Sequence, residues 1–234
     1  MSSLDDCLTQ MRERSETPIS PFYGHRILIT MNKLKIYLFL LLTIAISDVY
    51  AQQPTKVLVM GDSLSAGYGI DIEKSWVSLL EKELTKKNDV QIINASVSGE
   101  TSSGGNNRLG ALLNEHKPDI VILELGGNDA LRGQPLKLLE KNLQAMIDSS
   151  KKNNAEVLLT GMQIPPNYGA RYSNQFKELY PKLAEKNNIA LVPFLLEGIG
   201  GRPELMQRDG IHPTAEAQPI IVNNVKPALE KMLQ

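Results

Sequence analysis

The sequence predicts an α/β chain in which a central five-stranded parallel sheet carries helices on both faces, a three-layer α/β/α sandwich. Two observations lead there. Five short β-branched or aliphatic runs alternate with five stretches whose apolar residues recur at three- and four-residue spacing. The short runs are apolar nearly throughout rather than at every second position, as in strands covered on both faces, and each parallel pair needs a crossover that an intervening helix supplies.

Taken in order, Lys56–Met60 is the first strand, and Trp76, Leu79, Leu80 and Leu84 form the stripe of the helix after it. Val90–Asn94 is the second strand, followed by a weaker helix over Gly104–Glu115 whose inward residues are Leu109, Leu112 and Leu113. Ile120–Leu125 is the third strand, and the stripe Leu136, Leu139, Leu143, Met146 and Ile147 follows. Glu156–Thr160 precedes the stripe Phe176, Leu179, Tyr180, Leu183 and Ala184. Ala190–Val192 precedes Ile221, Val225, Leu229 and Met232. In such a fold ligands bind outside the carboxyl ends of the strands, so chemistry is expected in the strand-to-helix loops.

The first 51 residues stand apart from this pattern. From Met31 the chain has a basic start with Lys33 and Lys35, an apolar run of 11 residues from Ile36 to Ile46, and small residues at Val49 and Ala51 before Gln52. These are the parts of a secretory signal peptide, with cleavage expected after Ala51. The run falls short of the ~20 residues that span a bilayer, so no stable membrane anchor is expected. Met1–Thr30 is polar, contains Pro18 and Pro21 and has no sustained amphipathic period; Met31 is therefore an alternative start. Gln52–Gln234, 183 residues, is expected to be one domain, exported to the periplasm or secreted, and a monomer.

Composition removes several functions. The chain has 25 Lys+Arg against 26 Asp+Glu and only 5% aromatic residues, so it lacks the basic surface and stacking rings of a nucleic-acid binder. One cysteine, Cys7, and three histidines, His25, His116 and His212, are too few for a disulfide framework or a Cys/His zinc site. Catalysis would rest on Ser, Asp and one His.

The loops hold the residues for it, each with a plainer alternative. After the first strand comes Gly61-Asp62-Ser63-Leu64, where Ser63 is a nucleophile at the sheet edge, or Asp62 or Ser63 caps a helix. Ser65 occupies the place of the second glycine of G-x-S-x-G, which disfavours an ordinary α/β-hydrolase elbow. After the second strand, Gly99 either opens its N–H to a substrate oxygen or shapes a turn. After the third, Gly126-Gly127-Asn128-Asp129 offers the Asn128 amide as a donor, or an Asx turn. Near the C-terminus, Asp209-Gly210-Ile211-His212-Pro213 places a carboxylate where it can orient His212, or starts a helix. Four such loops on one side of one sheet make a complete set for acyl transfer.

At these four blocks the sequence resembles the SGNH hydrolases, also called the GDSL family. Tyr68, Leu131-Arg132-Gly133, Pro166-Asn167-Tyr168-Gly169 and Tyr180-Pro181-Lys182-Leu183-Ala184 are similar to the periplasmic branch with thioesterase, lysophospholipase and arylesterase activities. Gly69 after Tyr68 and Glu100 after Gly99 depart from that pattern. The resemblance implies a flavodoxin-like SGNH fold and a serine hydrolase of acyl esters, thioesters or lysophospholipids. It implies Ser63 as nucleophile, His212 as base and then acid, and Asp209 as the residue that orients His212. The oxyanion would be held by the N–H groups of Ser63 and Gly99 and by the Asn128 side chain, without metal or organic cofactor.

A carbohydrate acetylesterase is the alternative within enzymes, and a non-catalytic secreted binding module the alternative outside them. The apolar loop residues Ile164, Pro165, Pro166, Tyr168, Phe194, Leu195, Leu196 and Ile199 lean toward acyl chains.

Overall fold

Val57 to Met60 and Val121 to Leu123 have no exposed surface, and they lie side by side in the middle of the sheet. A computed structural model describes residue 33 and residues 53–86 and 89–234. Apart from Lys33, the expected leader lies outside the described residues, as do Cys7 and His25. Gln53–Gln234 forms one compact unit.

Its strands are β1 (Thr55–Gly61), β2 (Val90–Asn94), β3 (Ile120–Glu124), β4 (Glu156–Thr160) and β5 (Ala190–Val192). Its helices are α1 (Ser63–Ala66), α2 (Trp76–Leu84), α3 (Ser102–His116), α4 (Gly127–Leu131), α5 (Leu136–Lys152), α6 (Ala170–Asn187) and α7 (Gln218–Met232), with short 3₁₀ turns between them. All strand pairs are parallel, in the order β2-β1-β3-β4-β5. Helices α2 and α7 pack together on one face, and α3, α5 and α6 form the layer on the other. The three-layer α/β/α sandwich is therefore present.

The strand expectations differ from the structure by at most one residue at an end: β1 gains Thr55 and Gly61, and β3 stops at Glu124. Helix α3 is longer than Gly104–Glu115. Thr101 caps its start by accepting from the Gly104 N–H, and Lys117, left-handed at φ 47°, ends it. The 3.6-residue period does not reveal α1 and α4, because four or five residues cannot complete two turns of a stripe. The edge strand β2 exposes Gln91 and Asn94, whereas the β3 residues are all buried.

Strand order reverses at β1. The chain runs from β1 out to β2 and then returns past β1 to β3. The carboxyl ends of β1 and β3 are thus neighbours whose loops diverge, with Gly61 paired in register with Glu124. That is where a parallel sheet opens a crevice.

Candidate active site

The crevice is built on a buried carboxyl group. Glu124, at the end of β3, has no solvent exposure. Its Oε2 accepts from the Asp62 N–H at 3.1 Å and from the Ser65 hydroxyl at 2.7 Å, while Oε1 has no partner among the described residues. Only glycine suits position 61: an added Cβ would lie 2.6 Å from Glu124 Oε2 and 2.7 Å from Ser65 Oγ. The strand therefore turns sharply, and Asp62 caps α1 with Oδ1 accepting from the Leu64 N–H at 3.0 Å. Ser63 becomes the first helical residue, where its N–H has no intrahelical partner.

The other Asp62 oxygen, Oδ2, accepts from Asn128 Nδ2 at 3.0 Å. Asn128 stands in α4, which begins after Gly126 at φ +116°; a Cβ there would collide with the Tyr180 hydroxyl. One amide N–H of Asn128 is thereby fixed, and the second has no partner among the described residues. Burial pushes the Glu124 carboxyl well above its usual range, and the nearby Asp62 charge adds to this. Burial also raises Asp62 to about 6, against hydrogen bonds from Leu64 and Asn128 that favour its charge.

The histidine arrives on the last loop. Met206 and Pro213 form an isolated antiparallel bridge, and the Gln207 N–H donates to the His212 carbonyl at 2.7 Å. Within this narrow loop Asp209 Oδ1 accepts from the N–H groups of Ile211 and His212, at 2.9 and 3.0 Å. Asp209 Oδ2 lies 2.6 Å from His212 Nδ1, and His212 Nε2 lies 2.9 Å from Ser63 Oγ. A carboxylate only accepts, so Nδ1 carries the proton and Nε2 presents its lone pair to the serine hydroxyl. Burial works to raise Asp209, but the bonds from the His212 ring and the His212 and Ile211 N–H groups outweigh it and hold the carboxyl at about 2. The Tyr68 ring packs on the imidazole, with centroids 4.4 Å apart.

At Asp62-Ser63 the capping reading and the site reading therefore coexist, whereas Asp209 stands in a bridged turn rather than at a helix start and Asn128 lies within α4. Asp62 caps a helix while Ser63 faces His212, and Asp209 closes a turn with one oxygen while holding the ring with the other.

Gly99 sits in the loop after β2 at φ +79°. The Val97 N–H donates to the Gly61 carbonyl at 3.1 Å and keeps that loop beside the serine turn. Arg132 donates to the Gly99 carbonyl at 3.1 Å, and Glu100 pairs with Arg108 at 2.6 Å. The structure thus gathers Ser63, Asp209, His212 and Asn128 at one place; Gly99 is on an adjacent loop and does not line the cavity.

A cavity of about 440 Å³ opens beside Ser63, Asn128 and His212, walled by Met162, Ile164, Phe194, Leu196, Met206 and Ile211. Of the apolar loop residues singled out in the sequence, Ile164, Pro165, Phe194 and Leu196 line it, whereas Leu195 and Ile199 belong to the core and Tyr168 is exposed. Sequence reasoning missed Glu124 and Gln207. The signal for Glu124 is an acid inside the otherwise apolar run Ile120–Leu125; Gln207 has no comparable signal. His116, at the far end of α3, lies 3.9 Å from Glu115 and takes no part in the site.

The chain is similar to known proteins over most of its length. The model of the GDSL-like Lipase/Acylhydrolase family matches residues 59–219. An arylesterase of Vibrio mimicus is 50% identical over 184 residues, 78% of this chain and 92% of that protein. Thioesterase 1/protease 1/lysophospholipase L1 of Escherichia coli is 43% identical over 177 residues, 76% of this chain and 84% of its own length. A crystal structure of TesA, 49% identical, superposes with a TM-score of 0.74 over 76% of this chain and 99% of that one.

The buried carboxyls give a signed prediction. Folded Glu124 retains its proton where an unfolded chain has released it, so its stabilising contribution is complete below about pH 4.5 and declines as pH rises toward the folded value. Asp62 acts in the same direction between 3.8 and about 6, and Asp209 oppositely as pH falls from 3.8 through about 2. Glu124→Gln is expected to flatten the fall of thermal stability above pH 4.5, where each retained proton is worth as much as about 1.4 kcal/mol per pH unit. Parallel melting curves for the two proteins across pH 5–8 would refute this assignment.

Proposed function

The chain belongs to the GDSL-like lipase/acylhydrolase family and is an ester hydrolase, and from this premise we propose that Ser63, His212 and Asp209 cleave acyl esters and thioesters through an acyl-serine intermediate. The observation that carries the proposal is the continuous line from Asp209 Oδ2 through the His212 ring to Ser63 Oγ, at 2.6 and 2.9 Å, ending at an apolar cavity.

A serine hydroxyl is a weak nucleophile until a base removes its proton during attack. His212 Nε2 accepts that proton as Ser63 Oγ bonds to the acyl carbon. Asp209, charged above about pH 2, holds the ring and stabilises the imidazolium that forms. The carbonyl oxygen becomes an oxyanion, for which the free N–H of Asn128, the Ser63 N–H and the Gly99 N–H are the assigned donors. Because Asp62 holds the Asn128 amide before substrate arrives, that donor needs no reorganisation, and one such donor is worth roughly 2.7–4 kcal/mol. His212 then protonates the departing alcohol or thiol. Water, activated by the same nitrogen, attacks the acyl-serine and releases the acid.

The apolar walls of Ile164, Phe194 and Leu196 favour an acyl chain over an acetylated sugar, whose hydroxyls would find few partners there. We assign residues 31–51 to an export leader and place the mature enzyme outside the cytoplasm. That assignment rests on the basic start, the 11-residue apolar run and Val49-Tyr50-Ala51.

Ser63→Ala is expected to abolish turnover of a short aryl ester while cooperative unfolding is retained; an active, folded variant would remove Ser63 from the reaction. Asn128→Ala is expected to lower kcat by roughly 10²–10³-fold, and an unchanged kcat would exclude it as an oxyanion donor. N-terminal sequencing of the exported enzyme is expected to start at Gln52, and a mature chain retaining residues 31–51 would contradict the leader.

A further inference from the structure

Ser63 and His212 are 149 residues apart and lie on separate loops, so their hydrogen bond exists only if something fixes one loop against the other. Beside the site, that task falls to a side-chain amide. Gln207 Nε2 donates to the Tyr68 carbonyl at 2.8 Å and to the Pro213 carbonyl at 3.0 Å. Tyr68 follows α1, which Ser63 begins, and its N–H donates back to the Ser63 carbonyl at 3.1 Å. Pro213 follows His212. The two amide hydrogens of Gln207 therefore connect the chain just after the serine to the chain just after the histidine. The same Tyr68 whose carbonyl is held lays its ring on the imidazole.

This amide has a place reserved for it. Gly69 has φ +73°, and a Cβ built there would run into Gln207 Oε1 and come within 3.0 Å of its Cδ and Nε2. The glycine thus serves both a left-handed turn and an approach that a larger residue would permit only by displacing the Gln207 amide.

We propose that Gln207 is a positioning residue for the hydrolysis: its amide clamps the serine loop to the histidine loop, and Gly69 supplies the space in which it sits. The proposal rests on the assignment of Ser63 and His212 as nucleophile and base. Gln207 does not line the substrate cavity, so loss of the clamp acts on Ser63 activation and leaves ground-state binding alone. The physical scale is set by near-attack geometry, in which a displacement of 1 Å costs about 10²-fold in rate.

The experiment compares wild type, Gln207→Glu, Gln207→Ala, Gly69→Ala, the Gly69→Ala/Gln207→Ala double variant and Ser63→Ala. It measures kcat and KM on a short aryl ester, the rate of labelling by a small fluorophosphonate, and thermal unfolding. Gln207→Glu keeps the shape but a carboxylate cannot donate to either carbonyl. It is expected to lower kcat and the labelling rate together by tenfold to about 10²-fold, with KM within about twofold. Gly69→Ala is expected to lower kcat similarly in the wild-type background and to cause no further loss of kcat in the Gln207→Ala background, where the obstructed amide is gone. Any backbone strain from alanine at a positive φ appears in the melting temperature of both backgrounds, which separates it from the clamp. Wild-type kcat and labelling rate in folded Gln207→Glu, or additive kcat losses in the double variant, would overturn the proposal. If Ser63→Ala itself kept full turnover, the triad assignment would fall; if Ser63→Ala were inactive while Gln207→Glu matched wild type, only the clamp would fall.

Discussion

A carboxyl group shut away from water governs the arrangement of this site. Glu124 lies at the end of the most buried strand, between β1 and β4, where a charge would be costly and where its Oε1 finds no partner among the described residues. Its neutral form is favoured by the same burial, and its Oε2 makes two hydrogen bonds. One oxygen thereby fixes both the backbone of Asp62, just before Ser63, and the side chain of Ser65, two residues after it. Asp62 in turn fixes Asn128. A single buried group therefore determines where the nucleophile leaves the strand and where the amide donor faces it.

The second half of the site depends on loops rather than on the sheet. Asp209 is exposed and its loop contributes little to the core, so the histidine relies on local hydrogen bonds for its direction. A single hydrogen bond contributes about 0.5–1.5 kcal/mol net, too little for the bond between Ser63 and His212 to hold two loops together alone. Glutamine amides span the same gap at two depths. Gln218 accepts from the Trp76 N–H at 2.9 Å and donates to the Thr214 carbonyl at 3.1 Å, in the buried layer between α2 and α7. Gln207 repeats the device nearer the reacting atoms. The serine is thus held by buried hydrogen bonds and the histidine by more exposed ones.

Most of this architecture is legible in the residue pattern. The apolar runs locate every strand to within a residue at each end, because strands buried on both faces tolerate few polar side chains. The long stripes locate α2, α5, α6 and α7, since each must bury one face. Ser63, Asn128, Asp209 and His212 stand out because polar residues crowd the glycine-rich loops where a parallel sheet places its ligands. What stays hidden depends on contacts between distant segments. The role of Glu124 requires knowing that β1 and β3 end together, with Gly61 opposite it. Gly69 and Glu100 look like incidental departures in the sequence. In space the first makes room for an amide from residue 207, and the second anchors Arg108, whose guanidinium also donates to the Ala95 carbonyl at 2.6 Å and steadies the Gly99 loop.

The central claim is that Ser63 becomes acylated during turnover. The direct measurement is acid quenching of the enzyme while it hydrolyses an aryl ester of a slowly released acid, followed by peptide mass analysis. The acyl mass is expected on the peptide containing Ser63, on that side chain, formed together with the first equivalent of phenol. An acyl group on any other residue, or a full equivalent of phenol released from an enzyme whose Ser63 is unmodified, would contradict it.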